Sequence, residues 1–172
     1  MTGQRRFVKS FKNILLLITA VATSIAAYVA YKSYIEQPRL VVSVFKVTGD
    51  EEVYYSSGEV ELRLRQLNRT AEAIEYELPL KVVNEGEKDA DGITIWMRVE
   101  GGEMIPAEMY SERYADKDWK IWNIEKQSPK SGIKIYGVGV RVHEGTKEVR
   151  LLWKVHSYHA QPCSGSVLIR LV

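Results

Sequence analysis

From Ile14 to Tyr31 the chain reads ILLLITAVATSIAAYVAY, and no charged residue lies between Lys12 and Lys32. No other feature limits the fold as strongly, because so apolar a run must be buried in protein, dissolved in lipid or cleaved off. At about 1.5 Å of helix rise per residue it reaches roughly 27 Å, close to the roughly 30 Å of a bilayer's hydrocarbon layer. Thr19, Thr23 and Ser24 interrupt it at little cost, since their hydroxyls can return to the helix's own carbonyls. Tyr28, Tyr31 and Tyr34 fall where a helix leaves the membrane, and amphipathic rings suit the headgroup layer. A buried core helix would instead show a polar face.

The flanks give the expected orientation. Arg5, Arg6, Lys9 and Lys12 precede the run without any acid, whereas Lys32, Glu36 and Arg39 follow it. The positive-inside rule then predicts a cytoplasmic basic tail over 1–13, a transmembrane helix over 14–31, a polar stalk over 32–38 closed by Pro38, and an extracytoplasmic domain over 39–172. The rival reading is a cleaved signal peptide with Ser24-Ile25-Ala26 as its small-x-small site; the apolar run continues past that site to Tyr31, which favours the anchor. The expected partner of residues 14–31 is therefore the lipid bilayer.

The rest of the composition bounds the domain. A chain of 172 residues with 45% apolar content accommodates one folded domain and an appendage. Beyond residue 38, 19 basic residues meet 21 acidic ones, so the body carries a net −2 and no electropositive surface bias toward nucleic acid. With Cys163 as the sole cysteine, no intramolecular disulfide forms, and the domain depends on its core. Asn68-Arg69-Thr70 matches a glycosylation sequon, a triplet that chance supplies often.

After Pro38 the periodicity changes from helical to alternating. Strands are expected at Arg39–Thr48, Val60–Arg65, Ile74–Val83, Ile93–Val99, Trp119–Glu125, Ile133–Val142, Glu148–His156 and Val167–Leu171. Turn signals at Thr48-Gly49-Asp50, Ser56-Ser57-Gly58, Asn84-Glu85-Gly86, Asp91-Gly92, Ser131-Gly132, Glu144-Gly145 and Ser164-Gly165 separate or bound them. Short strands without an amphipathic helix among them predict an all-β fold, an antiparallel β-sandwich, behind the single N-terminal helix.

Two stretches sharpen this. Leu80-Lys81-Val82-Val83-Asn84-Glu85-Gly86 followed by Ala90-Asp91-Gly92-Ile93-Thr94-Ile95 has the layout strand, Asn-x-Gly turn, small residue, strand; Ile124–Ile135 sets Pro129 between two strands. Over residues 75–140 the chain resembles the Ig-like sandwich modules of bacterial and archaeal surface proteins, the cell-adhesion-related group. It departs from their pattern where Lys130, not Gly, follows Pro129. The resemblance implies an Ig-like fold in an extracytoplasmic setting and brings no catalytic residues with it.

Few constellations suggest chemistry. His156, His159 and Cys163 are zinc-type ligands, but residues 156 and 159 on one strand point to opposite faces, so only a turn would unite them. Glu85, Glu87, Asp89 and Asp91 have the spacing of half a calcium loop, yet Arg98 stands where the bidentate Glu belongs; a solvated hairpin tip or a looser calcium site remain. His143 has no sequence-marked serine partner, and no nucleophile elbow is present. Gly137-Val138-Gly139 lies inside an alternating run and opens no helix, which points to a bulge or a close backbone approach rather than a phosphate loop. The expectation is a non-enzyme without metal or cofactor.

The stretch Met104–Lys120 is long for a sandwich connection and carries Tyr110, Tyr114 and Trp119, with Trp122 close behind. Tyr and Trp offer large contact area at small entropic cost, so these four are the candidate binding residues. Trp119 alternates with Ile121 and Trp122 with Ile124, and one of these pairs is expected in the core. The functional expectation is a membrane-anchored module that binds another envelope or surface protein. Its alternatives are a carbohydrate or cell-wall ligand module and, behind that, a small metal-dependent hydrolase.

Overall fold

Gln37 precedes a proline and so is pushed out of helical geometry, and the chain passes there from helix to extended backbone. The computed structural model describes residues 2–105, 119–158 and 160–172, with side chains from Ile14 onward except Ile35. Helix α1 (Thr2–Ile35) runs beyond the apolar stretch on both sides, into the basic tail and through most of the expected stalk. The Thr19 and Thr23 hydroxyls donate to the Leu15 and Thr19 carbonyls at 2.9 and 2.8 Å, and Ser24 donates to Ala20 at 2.9 Å, so none of these three hydroxyls needs water. Residues 1–36 form one unit and residues 37–172 another.

The second unit is a two-layered β-sandwich. Its first layer holds β1 (Leu40–Thr48), β2 (Glu51–Tyr55), β4 (Gln66–Arg69), β5 (Ala73–Glu77), β6 (Leu80–Asn84), β8 (Glu103–Ile105), β10 (Ser131–Ile135) and β11 (Gly139–His143). The second holds β3 (Gly58–Leu62), β7 (Ala90–Glu100), β9 (Lys120–Gln127), β12 (Glu148–His156) and β13 (Cys163–Leu171), in the order β3-β13-β12-β7-β9. All pairings are antiparallel except β3 with β13.

The first layer is broken, which corrects two expected strands. Ile74–Val83 and Ile133–Val142 each read as one run, yet each splits, giving the sheets β10-β6-β1-β2 and β4-β5-β11-β8. Pro79 has no N–H to give a ladder, and Gly137 takes φ +74°, a left-handed conformation that disfavours side chains. One bond bridges the break, from the Leu78 N–H to the Val138 carbonyl at 2.9 Å, and both residues are buried. The halves thus form one bent layer.

The core follows the two-residue period. Val42 and Val44 of β1, Leu80 and Val82 of β6, Ile93, Ile95 and Met97 of β7, and Val149, Leu151, Trp153 and Val155 of β12 all point inward. Burying such side chains contributes about 1.5–3 kcal/mol each, against the entropy of ordering the chain. The outward partners on β12 stay exposed or half-buried.

Asn84-Glu85-Gly86 does not close a hairpin. It carries the chain from β6 in one layer to β7 in the other, and Asn84 is fully buried there. Its carbonyl oxygen accepts from the backbone N–H groups of Arg39 (3.1 Å) and Gly86 (3.0 Å), and its amide donates to the carbonyls of Lys88 (2.8 Å) and Gln127 (3.3 Å). A Cβ at Gly86 would lie 2.3 Å from the Gln37 carbonyl oxygen, so only glycine fits where the entering chain passes. Gln127, also buried, donates to the carbonyls of Val82 and Ser131 at 2.9 and 2.8 Å. The turn signals Asp91-Gly92, Ser131-Gly132 and Ser164-Gly165 likewise lie within β7, β10 and β13 rather than between strands.

Candidate functional site

The outer face of the five-stranded layer is set by the same alternation that fills the core. With Ile95 and Met97 inward, Thr94, Trp96 and Arg98 of β7 face outward; with Trp153 and Val155 inward, so do Leu152, Lys154 and His156 of β12. The register sets Lys154 opposite Trp96 on one side and Ser164 on the other, and Leu152 opposite Arg98.

Trp119, just before β9, completes this surface. Its ring has the Lys154 ammonium 4.6 Å from its centroid and the Arg98 guanidinium carbon at 5.1 Å, both in cation–π range. Arg98 also donates to a Glu100 carboxylate oxygen at 3.0 Å. Beside them lies a groove of about 560 Å³ lined by Trp96, Trp119, Lys154, His156, Pro162 and Cys163, with no carboxylate among the described residues of its wall. An apolar floor with a cation on its rim suits a partner that brings both apolar surface and negative charge.

Of the four candidate residues, Trp119 lines this groove. Trp122 does not: it is 3% exposed and packs in the core, opposite Ile95 across the β7–β9 pair. Ile124 packs against the same core, so Trp122 and Ile124 are the core pair, while Ile121, on the other face of β9, is buried outside that cluster. Tyr110 and Tyr114 lie outside the described residues. Trp96 was not among the candidates, although the alternation of Ile93, Ile95 and Met97 already places it outward.

The other expected constellations resolve separately. His156 and Cys163 share the groove wall, His159 lies outside the described residues, and no group of three or more metal-ligating side chains occurs among those described. The acidic cluster is divided among bases: Glu85 faces Arg39 at 3.5 Å, Glu87 meets Lys130 at 2.8 Å, and Asp89 and Asp91 share Lys126 at 2.7 and 3.9 Å. Asp89, as hydrogen-bond acceptor, raises the Lys126 pKa above its ordinary value. A calcium ion would have to displace these pairs.

On the outer face of β1, β2, β6 and β10 lies a second aromatic and charged cluster. Lys134 and Tyr54 both donate to the Glu52 carboxylate, Lys81 stands 3.8 Å from it, and the Lys81 ammonium lies 4.3 Å from the Tyr54 ring centroid. The hydrogen bond from Lys134, then that from Tyr54, holds the Glu52 carboxyl below its usual range, and Glu52 in turn raises Lys134.

No protein-family model and no curated protein matches this sequence. Among solved structures, the chain is similar to a CARDB domain from Pyrococcus furiosus, described in complex with di-metal ions, at 14% identity over 80% of this chain and 91% of that one, with a TM-score of 0.39. The N-terminal domain of PorA aligns at 8% identity over 77% and 97% of the two chains, TM-score 0.34. The archaeal flagellum of Methanospirillum hungatei strain JF1 aligns at 12% identity over 93% and 83%, TM-score 0.31. Likenesses this loose transfer no ligand or activity.

Proposed function

We propose that this chain is a single-pass, membrane-anchored β-sandwich module that stands outside the cytoplasm and binds another envelope or surface protein through the Trp96–Trp119 groove. The observation that carries the reading is the apolar helix from Ile14 to Tyr34, 21 residues long, none of whose residues is buried. Aliphatic side chains left bare over that length suit lipid as their solvent, and the basic residues before them support a cytoplasmic N-terminus by the positive-inside rule. Anchoring confines the domain to a thin layer beside the membrane, which raises its effective concentration toward partners held there.

The groove supports a protein partner over a sugar. Carbohydrate stacking is best on a bare aromatic face, and one of the groove's two rings, Trp119, already has Lys154 and Arg98 in cation–π range. A protein can bring a carboxylate to those cations and an apolar side chain to the groove floor.

The test is photo-crosslinking in native membranes, with the full-length chain carrying a benzophenone side chain at Ser164 on the groove wall. A discrete protein adduct that disappears on Trp96→Ala or Lys154→Glu is expected, while a benzophenone at exposed Glu61 yields none. An adduct indifferent to both substitutions, or a glycan-array signal in its place, would overturn the assignment of the groove to a protein. An intact mass beginning at Ala27 would remove the anchor.

A further inference from the structure

The break in the first layer leaves a cleft that the proposed groove contact does not use. β1 pairs with β6 as far as Val44, and the Phe45 N–H still bonds the Pro79 carbonyl at 3.0 Å. Beyond that point Lys46–Thr48 pair with β2 alone. On the far side, Arg65 takes over as neighbour of the β5 end, its carbonyl accepting from the Glu77 N–H at 2.9 Å. Between these two handovers the layer opens into a cavity of about 390 Å³.

Three properties of the cleft converge. Its interior is aliphatic, formed by Leu62, Leu78 and Leu80, all buried, with half-buried Leu64 and Ile135. Its rim is basic: among the described residues, Lys46, Arg63, Arg65 and Lys134 stand around it against a single acid, Glu77. Arg65 is answered by Glu77 at 3.6 Å and Lys134 by Glu52, but among the described residues no carboxylate lies within ion-pair distance of Lys46 or Arg63. Finally, backbone groups alternate sides along a strand, so the Val47 N–H and carbonyl point the same way as those of Phe45, toward the cleft and away from β2. Val47 itself is 62% exposed and Tyr136, on the opposite rim, 71%.

We infer that this cleft is a second recognition site, for an extended acidic segment of a partner protein. The segment adds beside Lys46–Thr48 as a short strand, exchanging hydrogen bonds with Val47. One of its apolar side chains enters the aliphatic interior, and carboxylates on the flanking positions meet Lys46 and Arg63. The charge on the rim selects acid over base, and the interior selects apolar over polar. A module with this cleft and the outer-face groove on different layers could hold two segments at once.

The experiment uses the full chain in detergent and a fluorescein-labelled peptide in which Leu alternates with Glu, read by fluorescence anisotropy. Three control peptides replace Glu by Lys, Leu by Ser, or the backbone N–H groups by N-methyl. Binding of the parent peptide alone is expected, weakening with salt and falling about tenfold or more in the Lys46→Glu, Arg63→Glu double variant. Both positions are exposed, so the variant is expected to keep the wild-type melting temperature, and that is measured alongside. Equal binding of the Ser-containing peptide would reduce the site to non-specific charge attraction, and equal binding of the N-methyl peptide would exclude strand addition. Unchanged affinity in the double variant would overturn the site altogether. Trp96→Ala is expected to leave this binding intact, so the outcome does not depend on the groove.

Discussion

Leu16 and Leu151 are the same residue in opposite situations: Leu16 is 61% exposed on the helix, while Leu151 is 0% exposed between the sandwich layers. In the inner strands of the sandwich, such as β7 and β12, every second side chain is apolar and finds protein on its inner side. In the helix, apolar side chains point in all directions and none of them is buried. The difference teaches that one hydrophobic effect is satisfied within the domain by its own second layer, whereas along the helix it calls, under the proposed anchoring, for lipid as the solvent.

The comparison is sharpened first by one substitution made in both places. Leu151→Ala is expected to lower the unfolding free energy of the domain by roughly 2–5 kcal/mol, through lost burial and the cavity left behind. Leu16→Ala is expected to leave that unfolding curve unmoved. Denaturant unfolding in detergent, followed by tryptophan fluorescence, measures both, and equal losses would contradict the division. Next in size is Ala22→Arg, which adds a charge at the middle of the apolar run at a cost of roughly 2.5–3.5 kcal/mol. The expected result is a larger share of the chain released by alkaline extraction, with the domain's melting temperature unchanged.

Within the sandwich, Asn84→Ala removes both an acceptor and a donor where the layers connect, at roughly 1–3 kcal/mol for each buried group left unsatisfied. A melting temperature within a degree or so of wild type would mean that water replaces the side chain. The smallest expected effect is the pH dependence of the Glu52 cluster. Glu52 has its folded pKa lowered from 4.5, so its stabilisation is present above that value and lost as pH falls through the folded pKa. Lys134 is raised from 10.5, so its contribution is present below that value and lost as pH rises through the folded pKa. Glu52→Gln should therefore melt slightly below wild type near neutrality and match it in acid. A constant offset across that range would show that packing rather than charge sets the difference.

The sequence makes the helix and the inner strands legible because their signals are continuous. An uninterrupted apolar run marks α1, and Glu148–His156 alternates so strictly that its bounds coincide with those of β12. The edges were illegible for the opposite reason. β2 reads Glu-Glu-Val-Tyr-Tyr and β4 reads Gln-Leu-Asn-Arg, with exposed or half-buried side chains throughout, so no two-residue contrast separates inside from outside. The split runs misled because Leu78 and Val138 are as buried as the strands around them; only Pro79 and Gly137 mark the change of sheet. At the groove, aromatic content drew attention to Trp119 and Trp122 alike, while the register of β7 and β9 separates them and brings in Trp96. The cleft left no local signal, since Lys46, Arg63 and Lys134 meet only through pairing between distant segments.

The central claim is that lipid surrounds the helix while the sandwich stands outside the cytoplasm, and single-cysteine labelling tests it most directly. In a Cys163→Ser background, Val172→Cys adds a thiol at a position 78% exposed on the domain, and Thr2→Cys adds one before the apolar run. The account predicts that a membrane-impermeant maleimide applied to intact cells labels the chain at 172 at once and at 2 only after permeabilisation, with both variants in the membrane fraction. The reverse pattern, or a fully soluble chain labelled at both positions only after lysis, would contradict it.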